Sequence, residues 1–233
     1  MRKNYIIFND FNTMDYFLIE DLQEVPTAEE KVDFIEIDGR DGYLTQSQDA
    51  LKPIDYEVQL NLYSKDDIQK VKNTFRGSGK LILSNDKNKF YNARVVNTIT
   101  FKRASFQYYT CVVCFKLQPY AYEVQSKTIT IDATQTTKQY TFKNSTNTTC
   151  EPAITLQGTG DCILTVGSKQ INITDIQSSI TLDFAIQEAY KGTANMNTHV
   201  SGEFPKLDVG NTTIKWNGSG VTKIIINPNY RWQ

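Results

Sequence analysis

Residues 55–63, Asp-Tyr-Glu-Val-Gln-Leu-Asn-Leu-Tyr, alternate polar and apolar side chains without a break. Successive side chains of a strand point to opposite faces, so Tyr56, Val58, Leu60 and Leu62 fall on one face and Glu57, Gln59 and Asn61 on the other. This is the pattern of a sheet with one dry face, and no helical period accommodates it. Segments of the same kind recur along the chain. Residues 5–8, 17–19, 32–37, 80–84, 106–117 and a stretch from about 89 to 101 read as strands in the first half. Residues 128–132, 138–143, 152–157, 162–166, 169–173, 179–184, 212–216 and 221–226 read so in the second. The 13 Tyr and 12 Phe, with frequent Ile, Val and Thr, suit a pleated, half-buried surface.

One segment breaks the pattern. After Ser64, the residues Ile68, Val71, Lys72 and Phe75 follow at helical spacing, so residues 65–76 are predicted as one short amphipathic helix. Ser64 and Asp67 stand in the positions of a capping box, and Gly77-Ser78-Gly79 ends the helix. Closely spaced strands with no further amphipathic helix indicate antiparallel sandwiches. At Pro119-Tyr120-Ala121-Tyr122-Glu123 the chain is punctuated, and from 126 to 149 Thr, Asn, Ser and Gln dominate. The expected boundary lies near residue 125, giving domains 1–125 and 126–233, and 233 residues suffice for two.

Several function classes are disfavoured. A formal net charge of −1 gives no electrostatic footprint for a phosphate-neutralising nucleic-acid binder. Met1-Arg2-Lys3 starts basic, but no signal-length apolar stretch follows, and no run approaches the ~18 apolar residues of a membrane span. Cys111 and Cys114 have C-x-x-C spacing, yet on a strand they point to opposite faces, so Cys111, Cys114, Cys150 and Cys162 read as small buried hydrophobes. Asp38, Asp41 and Asp49 lack the terminal Glu of a calcium loop and read as turn formers. Glu123, Glu151, Asp183, Glu188 and Glu203 could be drawn as glycosidase acid pairs only by availability among 26 acidic residues. His199 accompanies no nucleophile motif and reads as a solvated loop residue, and Trp216 and Trp232 as buried rather than sugar-stacking. No cofactor, metal or catalytic site is expected. Five Asn-x-Ser/Thr sequons, such as Asn144-Ser145-Thr146, carry no meaning in a chain expected to lack a signal peptide and to be made in a cytoplasm.

The motif order resembles one family. Ile37-Asp38-Gly39-Arg40-Asp41-Gly42, strand 55–63 with its helix, Gly77-Ser78-Gly79-Lys80-Leu81, Asn88–Val95 and Phe115–Tyr122 are similar to the N-terminal domain of siphophage distal tail proteins. Pro152-Ala153-Ile154, Gly158-Thr159-Gly160, Ile180–Asp183, Gly202–Leu207, Gly210-Asn211 and the ending Ile226–Trp232 fall in the order of that family's galectin-like C-terminal domain. Asn229 stands where the family pattern has Arg. The resemblance implies an all-β protein with one short helix, a tail-tube-like β-sandwich followed by a galectin-like β-sandwich. It implies a structural, non-enzymatic role in the virion tail tip: a homo-hexameric ring joining tail tube to baseplate. Implied partners are the tail-tube protein, the tape-measure protein, the tail-associated hub protein and a receptor-binding protein, with DNA only passing through the channel. The alternatives are a tail-tube protein and a carbohydrate-binding, lectin-like module. Residues 38–54 read as a long polar connection between strands, a length that signals interaction. Asp38, Gly39, Arg40, Asp41 and Gly42 are therefore the ring-interface candidates, with Arg40 expected to meet a carboxylate of a neighbouring copy at little energetic gain.

Overall fold

The computed structural model describes residues 4–233; Met1, Arg2 and Lys3 of the basic start lie outside the described residues. The chain divides into two compact units between Val124 and Gln125.

In the first unit the elements are β1 (Ile6–Phe8), β2 (Phe11–Asn12), β3 (Phe17–Leu18), β4 (Glu30–Glu36), β5 (Tyr43–Leu51), β6 (Ile54–Leu62), α1 (Asp66–Thr74), β7 (Ser78–Leu83), β8 (Asp86–Val95), β9 (Lys102–Arg103) and β10 (Tyr109–Glu123). One antiparallel sheet runs β2-β1-β7-β8-β10-β6-β3, with β9 on the start of β10. β6 is the alternating segment, and its apolar side chains Ile54, Tyr56, Val58, Leu60 and Leu62 are all buried. They meet Cys111, Val113, Phe115 and Leu117 of β10, Val71 on the buried face of α1, and Phe75 just after the helix. Phe75 sits among three rings, Phe8 at 5.9 Å, Phe115 at 6.1 Å and Phe17 at 6.5 Å between centroids. Separations of this size are those at which aromatic rings attract. α1 starts as its sequence dictates: the Ser64 amide donates to Asp67 Oδ2 at 3.1 Å and the Asp67 amide to Ser64 Oγ at 3.3 Å, a reciprocal capping box.

The second unit contains β11 (Ile129–Asp132), β12 (Gln139–Asn144), β13 (Ala153–Val166), β14 (Lys169–Asp183), β15 (Glu188–Lys191), β16 (Ala194–Asn195), β17 (Val200–Gly202), β18 (Gly210–Asn217) and β19 (Val221–Asn227). β13 and β14 form one long hairpin that serves both layers. The first half of β13 pairs with β19 and the second half with β18, while the start of β14 pairs with β17 and its end with β15. The change of partner coincides with a bulge between Gly160 and Cys162, the device that turns a strand from one sheet to another. Leu156, Leu164, Ile171, Ile180, Ile214, Ile224 and Phe142 fill the interior between the layers.

Five expectations need correction. The strands expected at 152–157 and 162–166 are one strand, β13, with Gly158-Thr159-Gly160 inside it where the gap between them implied a turn, and those expected at 169–173 and 179–184 are the two ends of β14. β8 stops at Val95 instead of running to Phe101. Pro119 does not end its strand, because β10 continues to Glu123 past an irregularity between Leu117 and Ala121. Residues 38–54 are not an irregular connection but a turn followed by β5.

Candidate functional site

β4 and β5 form a two-stranded ribbon that pairs with no other strand among the described residues. Its register places Val32 opposite Ser47, Phe34 opposite Thr45, Ile35 opposite Leu44 and Glu36 opposite Tyr43. Directly opposed residues share a face, so Phe34 and Tyr43 lie on one face and Ile35 and Leu44 on the other. Both faces are open: Phe34 is 62% exposed and Tyr43 61%, and Ile35, Ile37 and Leu44 are also exposed. The alternation of residues 32–37 therefore marks a strand without a dry side of its own. The Phe34 and Tyr43 rings meet edge-on with centroids 4.6 Å apart, and the base is tied by Lys52 and Glu29, with their ammonium and carboxylate 3.1 Å apart.

The ring-interface candidates Asp38, Gly39, Arg40, Asp41 and Gly42 form the tip of this ribbon, all exposed. Gly39 and Gly42 have φ of 78° and 81°, which the turn requires and which side chains with a Cβ resist, and the Arg40 amide donates to the Ile37 carbonyl at 3.1 Å. The sequence reading singled out the turn at the tip; the large exposed apolar side chains lie on the stem, which it did not single out. The signal for the stem was present as Phe34, Ile35, Tyr43 and Leu44 flanking a double Asp-Gly turn.

Three of the carboxylates considered for catalysis have structural partners. Glu151 holds Arg231 at 2.7 Å, Glu203 pairs with Lys169, and Asp183 accepts the Ala185 amide. The Lys169 hydrogen bond holds Glu203 below its ordinary carboxyl pKa, which is unsuited to a general acid. His199 is half-buried with Nδ1 3.2 Å from the Thr174 carbonyl oxygen. The four thiols are free; burial pushes Cys111 up to about 12 and Cys150 to about 11, which keeps these two protonated and inert, whereas Cys114, expected to be buried, is half-exposed. Among the described residues no group of His, Cys, Asp and Glu could hold a metal ion, and no helix is long and apolar enough to cross a membrane. Trp216 is buried, its indole donating to the Ala133 carbonyl at 3.0 Å, so its face is closed to a sugar ring, and Trp232 is half-buried.

A scan of protein-family models and a search of curated proteins return no match. Among solved structures the chain matches the crystal structure of the Dit protein (gp 19.1) of phage SPP1, described as a paradigm of the hub adsorption apparatus in phages infecting Gram-positive bacteria. The TM-score is 0.76 at 14% identity, over 97% of this chain and 98% of that one. This chain has the fold of SPP1 Dit. The likeness extends over both units, so the all-β fold of this chain is shared with SPP1 Dit over nearly its whole length.

Proposed function

We propose that this chain is the distal tail protein of a long-tailed phage or prophage, and that six copies form a ring joining the tail tube to the adsorption apparatus. The observation that carries this reading is the fold likeness to a hub adsorption protein along the whole chain. A tail-tube protein is the poorer reading, because the likeness includes the entire second unit. A lectin is disfavoured by the burial of Trp216.

In this role the first unit builds the ring and the second carries other tail proteins. A lone two-stranded ribbon is marginal in water, and one with apolar side chains on both faces gains by being covered. The exposed ribbon β4–β5 therefore supports a self-assembling first unit. The ring sits between the last tail-tube ring and the hub protein, near the tape-measure end, with receptor-binding proteins outside. DNA passes through its opening, and the address is the virion tail tip. Light scattering coupled to size-exclusion chromatography, with negative-stain images of the same fraction, tests the reading. The expected outcome is a six-fold ring at six times the chain mass; a monomer at micromolar concentration refutes it.

A further inference from the structure

A closed head-to-tail ring needs two different surfaces on each copy, one meeting the other on the next. The ribbon supplies one. The structure offers a second at the opposite end of β6. β5 leads through Lys52 and Pro53 into Ile54 at the start of β6, while Tyr63 follows its last residue, Leu62, which pairs with Tyr109. Nine strand residues span about 30 Å, so a copy's own ribbon is rooted far from this end.

There the turn between β9 and β10 presents Phe106 at 82% exposure. The ring is not left on a loose loop. The Ala104 and Ser105 amides donate to the Tyr108 carbonyl at 2.8 and 3.3 Å, closing the turn. Arg103 spans it, Nε donating to the Ser105 carbonyl at 3.1 Å and Nη2 to the Phe106 carbonyl at 3.0 Å, with the guanidinium 5.3 Å from the Phe106 ring centre. Beside it the exposed rings of Tyr108 and Tyr63 meet edge-on at 6.2 Å. Aromatic rings held rigidly in solvent and backed by Arg are the composition of interface anchors.

Charge identifies the occupant. Residues 96–108 carry Lys102 and Arg103 and no acidic residue. Over residues 32–42 of the ribbon, Asp33, Glu36, Asp38 and Asp41 oppose the single base Arg40. Opposite fields of this kind orient partners and fix register. We propose that the acidic, aromatic ribbon of one copy docks on the basic, aromatic turn 102–108 of the next copy, beside Tyr63, and that this contact repeats around the ring. The inference rests on the ring reading and names the surfaces that make it.

The test uses the full chain with the photo-cross-linking residue p-benzoylphenylalanine replacing Phe106, irradiated and mapped by peptide mass spectrometry. The expected product is an intermolecular link to residues 30–51. A ring whose links map elsewhere, or that gives none, overturns this inference and leaves the ring reading standing; a monomeric chain overturns both. A second measurement reverses charge. Lys102→Glu with Arg103→Glu is expected to raise the protein concentration at which the ring dissociates by about tenfold or more, as like charges brought together cost several kcal/mol. Adding Asp33→Lys and Glu36→Lys should restore assembly. Reversal without effect, or without rescue, counts against the contact.

Discussion

Arg231 reaches back along the chain to Glu151: its Nη1 lies 2.7 Å from Oε2, and both side chains are largely shielded from water. The same guanidinium donates through Nε to the Thr149 carbonyl at 2.7 Å and through Nη2 to the Thr149 hydroxyl at 3.1 Å. The end of the chain is thereby fastened to the segment that precedes β13. Removing one partner of a shielded pair leaves the other without compensation, which costs about 3–5 kcal/mol. Arg231→Ala should therefore destabilise the second unit by about that amount, and Arg231→Met with Glu151→Gln by distinctly less. Both tryptophans, Trp216 and Trp232, belong to this unit, so urea unfolding followed by tryptophan fluorescence reads it directly.

Asp67 makes the start of α1 sensitive to acid. Burial alone would raise its pKa, but hydrogen bonds from Lys70, 2.9 Å away, and from Ser64 outweigh burial and hold it below the ordinary carboxyl value. A folded-state pKa below the unfolded one contributes stability that is complete above the unfolded pKa, about 3.9, and is lost as pH falls through the folded value. Asp67→Asn should cost about 1–2 kcal/mol at neutral pH, and the difference from the parent should fade in strong acid. Amide exchange over residues 66–75 in parent and variant measures both. A difference that grows on acidification would contradict the assignment.

The four thiols should separate by access. Cys111, Cys150 and Cys162 are buried with raised pKa, whereas Cys114 is half-exposed and donates to Glu57 at 3.4 Å. Burial first, then the Glu57 carboxylate, raises the Cys114 pKa as well. A thiol-reactive chromophore should modify this one residue slowly in the native protein and the other three only on unfolding. Glu57→Gln removes a negative charge beside the sulfur, lowers its pKa and should speed the reaction at pH 8. An unchanged rate, or prior reaction at Cys111, would contradict this.

What could be read from the sequence follows from where water is excluded. β6 was legible because one of its faces is buried along its whole length, and the capping box was legible because Ser64 and Asp67 act on each other within one turn. β5 was not, because its middle, Thr45-Gln46-Ser47-Gln48-Asp49, is polar on both exposed faces and carries no alternation, unlike its partner β4. Gly158 misled for a different reason. A Cβ there would lie 2.1 Å from the Gly220 carbonyl oxygen, so the glycine permits a close backbone approach within a strand, and a turn is not what it serves. The turn at residues 38–42 was legible from its two Asp-Gly pairs, whereas Phe106 carries no local sequence signal beyond being one more aromatic residue in a β-rich chain.

The ribbon's stem and its tip should differ in effect. Phe34 and Tyr43 pack on each other and, being exposed, belong to neither hydrophobic core. Phe34→Ser with Tyr43→Ser should therefore leave the circular-dichroism spectrum and the unfolding midpoint of the first unit nearly unchanged, within about 0.5 kcal/mol. If these rings are covered in the assembly, their loss removes about 1.5–3 kcal/mol of burial per ring at every contact, and the ring should dissociate at concentrations where the parent stays closed. Arg40→Ala at the tip removes only an exposed charge, for which about 0–1 kcal/mol is expected, so its ring should persist. Analytical ultracentrifugation of the two variants beside the parent decides. A ring that survives loss of both aromatics but falls apart without Arg40 would move the contact from the stem to the tip.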